Sequence, residues 1–184
     1  MAFLSLLWLP IVVSAALVFV VSAASHMLVP YRKREWRSAP EQEALQRAFR
    51  GAAPGLYVFP SPSESSERGR PEAMERWAQG PSAWLALLPP GPLSMGRNLG
   101  LSFLVNLGVS FMAAYLAAHA LGTAPHYLAV FRVVGTVGVL AYLVGPIYEA
   151  IWFWRPWQTV AMGAADALAY GLVMAGTFGW LWPR

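Results

Sequence analysis

Four polar side chains interrupt otherwise apolar stretches of this 184-residue chain, and they are its strongest candidates for chemistry. Asn106, Glu149, Asp166 and His26 fall toward the same end of their apolar stretches, so we expect one polar cluster. Ionisable groups in hydrocarbon are costly and usually mark pairing or function. Asp166 and Glu149 could carry protons or ions. Alternatively, Asp166 hydrogen-bonds between helices to Asn106 or to a nearby hydroxyl, and Glu149 forms an ion pair with Arg155.

A second polar set lies toward the opposite end of the apolar stretches and consists of Arg132, His119 and His126. Arg132 either extends to the lipid headgroups, as long basic side chains do, or binds an anionic lipid or a partner's carboxylate. A haem held by two histidines needs imidazoles at similar depth on facing helices. His26 is at the wrong end to complete such a pair, so only His119 is a candidate axial ligand for a haem or pigment, and no cofactor is predicted.

The patterns of most catalytic sites are missing from the sequence. There is no Cys, which excludes disulfides, Cys-ligated zinc, iron–sulfur clusters and thiol catalysis. There is also no glycine-rich phosphate loop, HExxH or G-x-S-x-G motif. Basic residues outside the apolar stretches are nearly matched by acidic ones, which argues against a nucleic-acid surface. We therefore expect a non-enzymatic protein without a metal site.

The elements that carry these residues are predicted from composition and hydropathy. The chain is 57% hydrophobic and 12% charged, whereas soluble domains carry about 25% charged residues. A spanning helix needs about 20 mostly apolar residues. Four stretches qualify: one within residues 1–30, and three at about 96–121, 127–152 and 158–182. The predicted fold class is all-α, a four-helix transmembrane bundle.

Residues 31–95 form a loop of about 65 residues between the first two spans, and most of the ionised groups lie in it. Residues 41–50 and 71–79 are predicted to form short amphipathic helices. Residues 54–62, with prolines at both ends, favour an extended arm. The apolar segment 84–88 is too short to span, so we expect it to dip into the headgroups.

Lys and Arg near the ends of the spans predict the orientation of the bundle. Arg32, Lys33, Arg34 and Arg37 follow the first span, and Arg155 lies in the turn between the last two. Positive charge favours the cytoplasmic side, so the loop is predicted to be cytoplasmic and both termini periplasmic. The same five residues are expected to contact anionic lipid headgroups.

Three stretches together carry a resemblance to a known family: His26–Lys33 (HMLVPYRK), Gly91–Arg97 (GPLSMGR) and Gly176–Pro183 (GTFGWLWP). The chain resembles a family of small bacterial inner-membrane proteins to which no activity, ligand or catalytic residue is attached. The resemblance implies a multi-pass protein of the bacterial inner membrane. It supplies no site residue.

Small residues at four-residue spacing, such as Ala161, Ala165 and Ala169, let transmembrane helices approach each other or another subunit. With no catalytic pattern present, the first functional hypothesis is a structural or accessory subunit of a larger membrane complex, respiratory or photosynthetic in type. Its partners would be the lipid bilayer and other membrane subunits, or further copies of the chain. The alternatives are a small transporter or proton-conducting protein that uses Asp166 and Glu149, and a haem- or pigment-binding protein.

Overall fold

The computed structural model of the chain describes residues 2–29, 36–60, 70–122 and 124–183. Helix accounts for 72% of the structure and strand for 6%. In chain order the elements are α1 (Ala2–Leu28), α2 (Gln42–Ala48), β1 (Gly55–Phe59), α3 (Pro71–Gln79), β2 (Ala83–Leu87), α4 (Met95–Ala120), α5 (Tyr127–Phe153) and α6 (Trp157–Leu181). The predicted helical class is confirmed, and its four long helices match the predicted spans to within one or two residues.

The four long helices, α1, α4, α5 and α6, are each long and apolar enough to cross a membrane. They contain 25 to 27 residues, which corresponds to about 40 Å and exceeds the roughly 30 Å hydrocarbon thickness. A helix pairs its backbone groups internally, which a segment in lipid requires. Many large apolar side chains point outward, among them Leu104, Leu140 and Leu172, as expected for a surface covered by lipid.

The chain divides into two compact units: residues 1–37 with 94–184, and residues 38–93. The first unit is the bundle. It has two ends, which we call the loop-side end and the far end. The loop-side end comprises the end of α1, the start of α4 and the 154–156 turn between α5 and α6. The far end comprises the start of α1, the 121–126 turn and the end of α6.

The tightest packing in the bundle is between α5 and α6. A Cβ built on Gly171 would lie 2.6 Å from Val139 Cγ2 and 3.0 Å from the Gly135 carbonyl oxygen. A Cβ on Gly138 would lie 3.0 Å from the Gly171 Cα atom. The helices therefore meet backbone to backbone through glycine, as small residues allow in membranes. Ala161 and Ala165, from the predicted alanine stripe, are instead exposed.

The second unit holds two short helices and a two-stranded antiparallel sheet, in which Tyr57 is opposite Leu85. The extended arm predicted at 54–62 is present as β1. The segment 84–88, which we expect to dip into the headgroups, contributes to β2, and β2 pairs with β1 along its whole length. The helix predicted at 41–50 is shorter, since Glu41 has left-handed backbone angles and α2 begins after it.

Tryptophan side chains lie at both ends of the bundle. Trp152, Trp154 and Trp157 are exposed at the loop-side end, and Trp180 is exposed at the far end. Indole rings favour the headgroup depth, where the apolar ring and the N–H group can both be accommodated. The spacing of the two groups agrees with helices that cross the bilayer once each.

Candidate functional site

A cavity of about 360 Å³ lies within the bundle, in its loop-side half. All four long helices contribute to its wall. Its lining residues are Phe19, Ser22, His26, Ser102, Val105, Asn106, Tyr142, Pro146, Arg155, Thr159, Gly163, Asp166 and Tyr170. Three of the four residues predicted to form a polar cluster, namely His26, Asn106 and Asp166, therefore border one space. The fourth, Glu149, is not part of the lining.

Asp166 is tied to the first helix of the chain. Its Oδ1 atom accepts a hydrogen bond of 2.7 Å from Ser25 Oγ, and the contact is partly buried. Asp166 lies nine residues into α6, about 13 Å along the helix axis, whereas Ser25 lies three residues before the end of α1. The carboxylate therefore lies at the level of the last turn of α1 and borders the cavity.

The innermost part of the cavity is lined by an amide and two phenols. Tyr142 donates a hydrogen bond of 3.0 Å to Asn106 Oδ1, and Asn106 is 7% exposed. The rings of Tyr142 and Tyr170 pack edge to face, with centroids 5.1 Å apart. Pro146 also lines the cavity, and because proline has no N–H, the carbonyl of Tyr142 lacks its usual helical donor.

The hydroxyl of Tyr170 has no hydrogen-bond partner among the residues that the structure describes, although it is fully shielded from solvent. The residue as a whole is 6% exposed. Buried hydroxyls are nearly always paired, because an unpaired one costs about 1–3 kcal/mol. Because the hydroxyl has no accessible surface, a guest molecule in the cavity supplies the missing partner only after the Tyr170 ring moves.

The mouth of the cavity contains His26 and Arg155. Arg155 Nη1 contacts Glu149 Oε2 in an ion pair, so the pair predicted from the sequence is formed. Both side chains are substantially exposed, at 38% and 52%, which makes the pair worth at most about 1 kcal/mol. The His26 ring donates from Nδ1 to the Ser22 carbonyl oxygen, at 2.8 Å, and this bond holds the imidazole against its own helix.

Beyond the cavity, the far half of the bundle is closed by packed side chains. Val130, Val134, Met174 and Phe178 are fully buried. The polar contact in this region joins Ser110 and Ser14, whose hydroxyl oxygens are 3.5 Å apart and fully buried. The cavity therefore reaches the loop-side end but is separated from the far end by this packed layer, made of residues from all four helices.

The second predicted polar set does not border the cavity. His119 donates from Nδ1 to the Tyr115 carbonyl oxygen at 2.7 Å, and its ring lies on the Tyr115 ring. His126 caps α5, with Nδ1 accepting from the Leu128 N–H at 3.3 Å. Arg132 is exposed one turn into α5. Within residues 2–29, 36–60, 70–122 and 124–183, no group of three or more His, Asp or Glu side chains is placed to hold a metal ion.

The structure describes two of the five basic residues that are predicted to contact headgroups, Arg37 and Arg155. Arg32, Lys33 and Arg34 lie outside the described residues. Arg37 is exposed. Arg155 is half-buried. It lines the mouth of the cavity and also forms the ion pair with Glu149.

Ser25, Tyr142 and Tyr170 belong to the site, and the sequence did not single them out. Serine and tyrosine are common in transmembrane helices, and nothing in their spacing marks a functional group. Helical periodicity offers one signal: Tyr170 follows Asp166 by four residues, which places both on the same face of α6. Tyr142 and Pro146 are related in the same way on α5.

Comparison of the chain with known protein families, with curated proteins and with solved structures gives no match. The geometry of the cavity is therefore the basis for assigning a function.

Proposed function

We propose that this chain is a non-enzymatic, multi-pass membrane protein that binds a small organic cation in the loop-side cavity. The observation that carries the proposal is that one carboxylate, Asp166, and the rings of Phe19, Tyr142 and Tyr170 line the same cavity. The volume of about 360 Å³ is within the range of small-molecule sites.

The charges around the cavity favour a cation. Asp166 is the acidic residue of the lining, and Arg155 is the basic one. The guanidinium of Arg155 is already engaged by Glu149 at its side. Ser25, which donates to Asp166, orients the carboxylate and brings no charge of its own.

The aromatic residues favour an organic ammonium over a metal ion. Phe19, Tyr142 and Tyr170 all contribute to the lining. Aromatic rings attract organic cations through their quadrupoles and also accept the apolar groups attached to the nitrogen. Within the described residues, no group of three or more His, Asp or Glu side chains lies at the cavity to hold a metal ion.

Thermal unfolding of the full-length protein in mild detergent tests this proposal, with tetraethylammonium as the probe. We expect tetraethylammonium chloride to raise the unfolding temperature of the native protein in a saturable way, by mass action on the folded state. Sodium chloride at the same concentration controls for ionic strength. The Asp166→Asn variant should lose the effect, and an equal effect in both proteins, or none in either, would refute the proposal.

We further propose that the loop-side end faces the cytoplasm of a bacterial cell and that the termini are periplasmic. The support is the positive charge that flanks this end, including Arg37 and Arg155, set against a far-end turn, residues 121–126, without Lys or Arg. In this orientation the cavity receives its ligand from the cytoplasm. A cysteine placed at Arg37 should react with an impermeant reagent only in inverted vesicles, and reaction in intact spheroplasts would contradict the orientation.

A second candidate is a structural or accessory subunit of a larger membrane complex. It is favoured by one face of the two-stranded sheet in the 38–93 unit, where Leu56 is 85% exposed and Trp84 is 47% exposed. The register places both side chains on the same face, and exposed apolar faces of this kind commonly contact proteins.

Purification in mild detergent should recover a partner, and replacement of Leu56 and Trp84 by Ser should release it. Recovery of the native chain alone would count against this candidate.

A further inference from the structure

A groove of about 340 Å³ runs along the outer surface of the bundle between α5 and α6. Gly135 and Gly171, which allow the two helices to meet closely, form part of its wall. Leu140, Leu168 and Leu172 stand beside it and are each more than half exposed. The groove is therefore an apolar channel on a surface that faces lipid.

The groove has a single charged residue, Arg132, in its lining. Arg132 is exposed and forms no ion pair within the described part of the chain. Glu149 lies 17 residues further along α5, about 25 Å away on the helix axis. The acidic residue of α6, Asp166, borders the cavity in the other half of the bundle, so neither carboxylate can neutralise the guanidinium.

The depth of Arg132 matches that of a lipid phosphate. It lies five residues after the start of α5, about 7.5 Å along the axis. Since α5 is about 10 Å longer than the hydrocarbon layer, this position falls near the boundary between hydrocarbon and headgroups. An unpaired guanidinium there needs a negative group, and phosphate accepts two parallel N–H bonds from arginine.

We propose that this groove binds one anionic phospholipid, with its phosphate on Arg132 and an acyl chain along the glycine-lined channel. The apolar channel explains why a lipid is the ligand, and the unneutralised arginine explains why an anionic lipid is preferred to a zwitterionic one. Thr136, one turn further on the same face of α5, also lines the groove and offers a hydroxyl below the phosphate. The proposal is independent of the cavity in the loop-side half.

Native mass spectrometry of the full-length protein, equilibrated with equimolar dioleoyl phosphatidylglycerol and dioleoyl phosphatidylcholine, tests this site. We expect the native protein to retain one phosphatidylglycerol in preference to phosphatidylcholine. Arg132→Gln should reduce that preference about tenfold, the effect of losing a charge-assisted hydrogen bond. Arg132→Lys should retain part of it, because the charge remains.

Two further variants separate the site from a general effect of charge. Arg97→Gln removes one positive charge at the start of α4, at the loop-side end, and should leave the preference unchanged. Leu172→Trp should fill the groove and weaken retention of both lipids while Arg132 is intact. Equal retention of the two lipids by the native protein, or an Arg132→Gln variant that behaves like the native protein, would overturn the proposal.

Discussion

Ser25 Oγ donates a hydrogen bond of 2.7 Å to Asp166 Oδ1, and this contact joins the first and last helices of the bundle across 141 positions of sequence. The bond fixes the end of α1 against α6 at the level of the cavity. It also orients the carboxylate, so that one side-chain contact both holds the bundle together and shapes the site. The two roles can be separated by substitution, because the hydrogen bond does not require the charge.

Loss of the Ser25 hydroxyl should reduce stability, whereas loss of the Asp166 charge should not. Ser25→Ala is expected to lower the free energy of unfolding by about 1 kcal/mol, the usual effect of one interhelical hydrogen bond. Asp166→Asn retains an Oδ1 acceptor for Ser25 and removes a charge from the membrane interior, so its stability should be unchanged or higher. Reversible unfolding in mixed micelles measures both. A large destabilisation by Asp166→Asn would show that the charge itself is structural.

The two tyrosines of the cavity should respond in opposite directions to removal of the hydroxyl. Tyr142→Phe breaks the bond to Asn106 and should lower the free energy of unfolding by about 1 kcal/mol. Tyr170→Phe removes a buried hydroxyl without a partner among the described residues and should raise it by up to about 1 kcal/mol in the absence of ligand. The same unfolding assay checks both variants.

Binding of tetraethylammonium provides the second half of this test. If the Tyr170 hydroxyl serves the ligand site, Tyr170→Phe should weaken binding while it stabilises the empty protein. A variant that is more stable and binds as well as the native protein would mean that the hydroxyl has no part in recognition.

The close contact between α5 and α6 should tolerate no side chain at Gly171. A Cβ there would meet the backbone of Gly135 as well as Val139, and backbone atoms cannot move aside without separating the helices. We expect Gly171→Ala to lower the free energy of unfolding by about 1–3 kcal/mol. Gly176→Ala, on the same helix with nothing within 4 Å of the added carbon, is the control and should be neutral or stabilising. If the two substitutions lowered the free energy of unfolding equally, α5 and α6 would not be in close contact at Gly171.

Proteoliposomes containing the protein should show no proton flux above that of empty liposomes. The reason is the packed layer beyond the cavity, in which Val130, Val134 and Met174 are fully buried. A pH-sensitive dye trapped inside the liposomes reports the flux after a potassium gradient is imposed. Flux that disappears in Asp166→Asn would instead favour a transporter or proton-conducting protein and would require the packed layer to open.

The sequence predicts the long helices well because the signals that define them are local. The turn after α5 contains Arg155, a charged residue, and Pro156, which disfavours helix continuation although Pro146 is accommodated inside α5. Hydropathy and helix-breaking residues of this kind are read from a few neighbouring positions, and the predicted spans accordingly agree with the structure at both ends.

Features that depend on distant partners were not predictable in this way. The strand pairing of Leu56 with Ala86 joins segments separated by α3, and neither segment alone indicates its partner. The glycine contact illustrates the same limit, because the meeting of Gly135 and Gly138 with Gly171 depends on the crossing of two helices. Likewise, Ser25 acquires its role only from the position of Asp166.

The proposed cation site requires a cavity that is open to water at one end of the bundle and closed by the packed layer at the other. The chain has no cysteine, so single serine-to-cysteine variants can probe water access without a modified background. Ser102 lines the cavity, and Ser110, two turns further along α4, is fully buried in the packed layer. The measurement is the rate at which each variant in vesicles reacts with a charged thiosulfonate. We expect rapid reaction of Ser102→Cys and none of Ser110→Cys; an unreactive Ser102→Cys, or equal rates at both positions, would contradict the account.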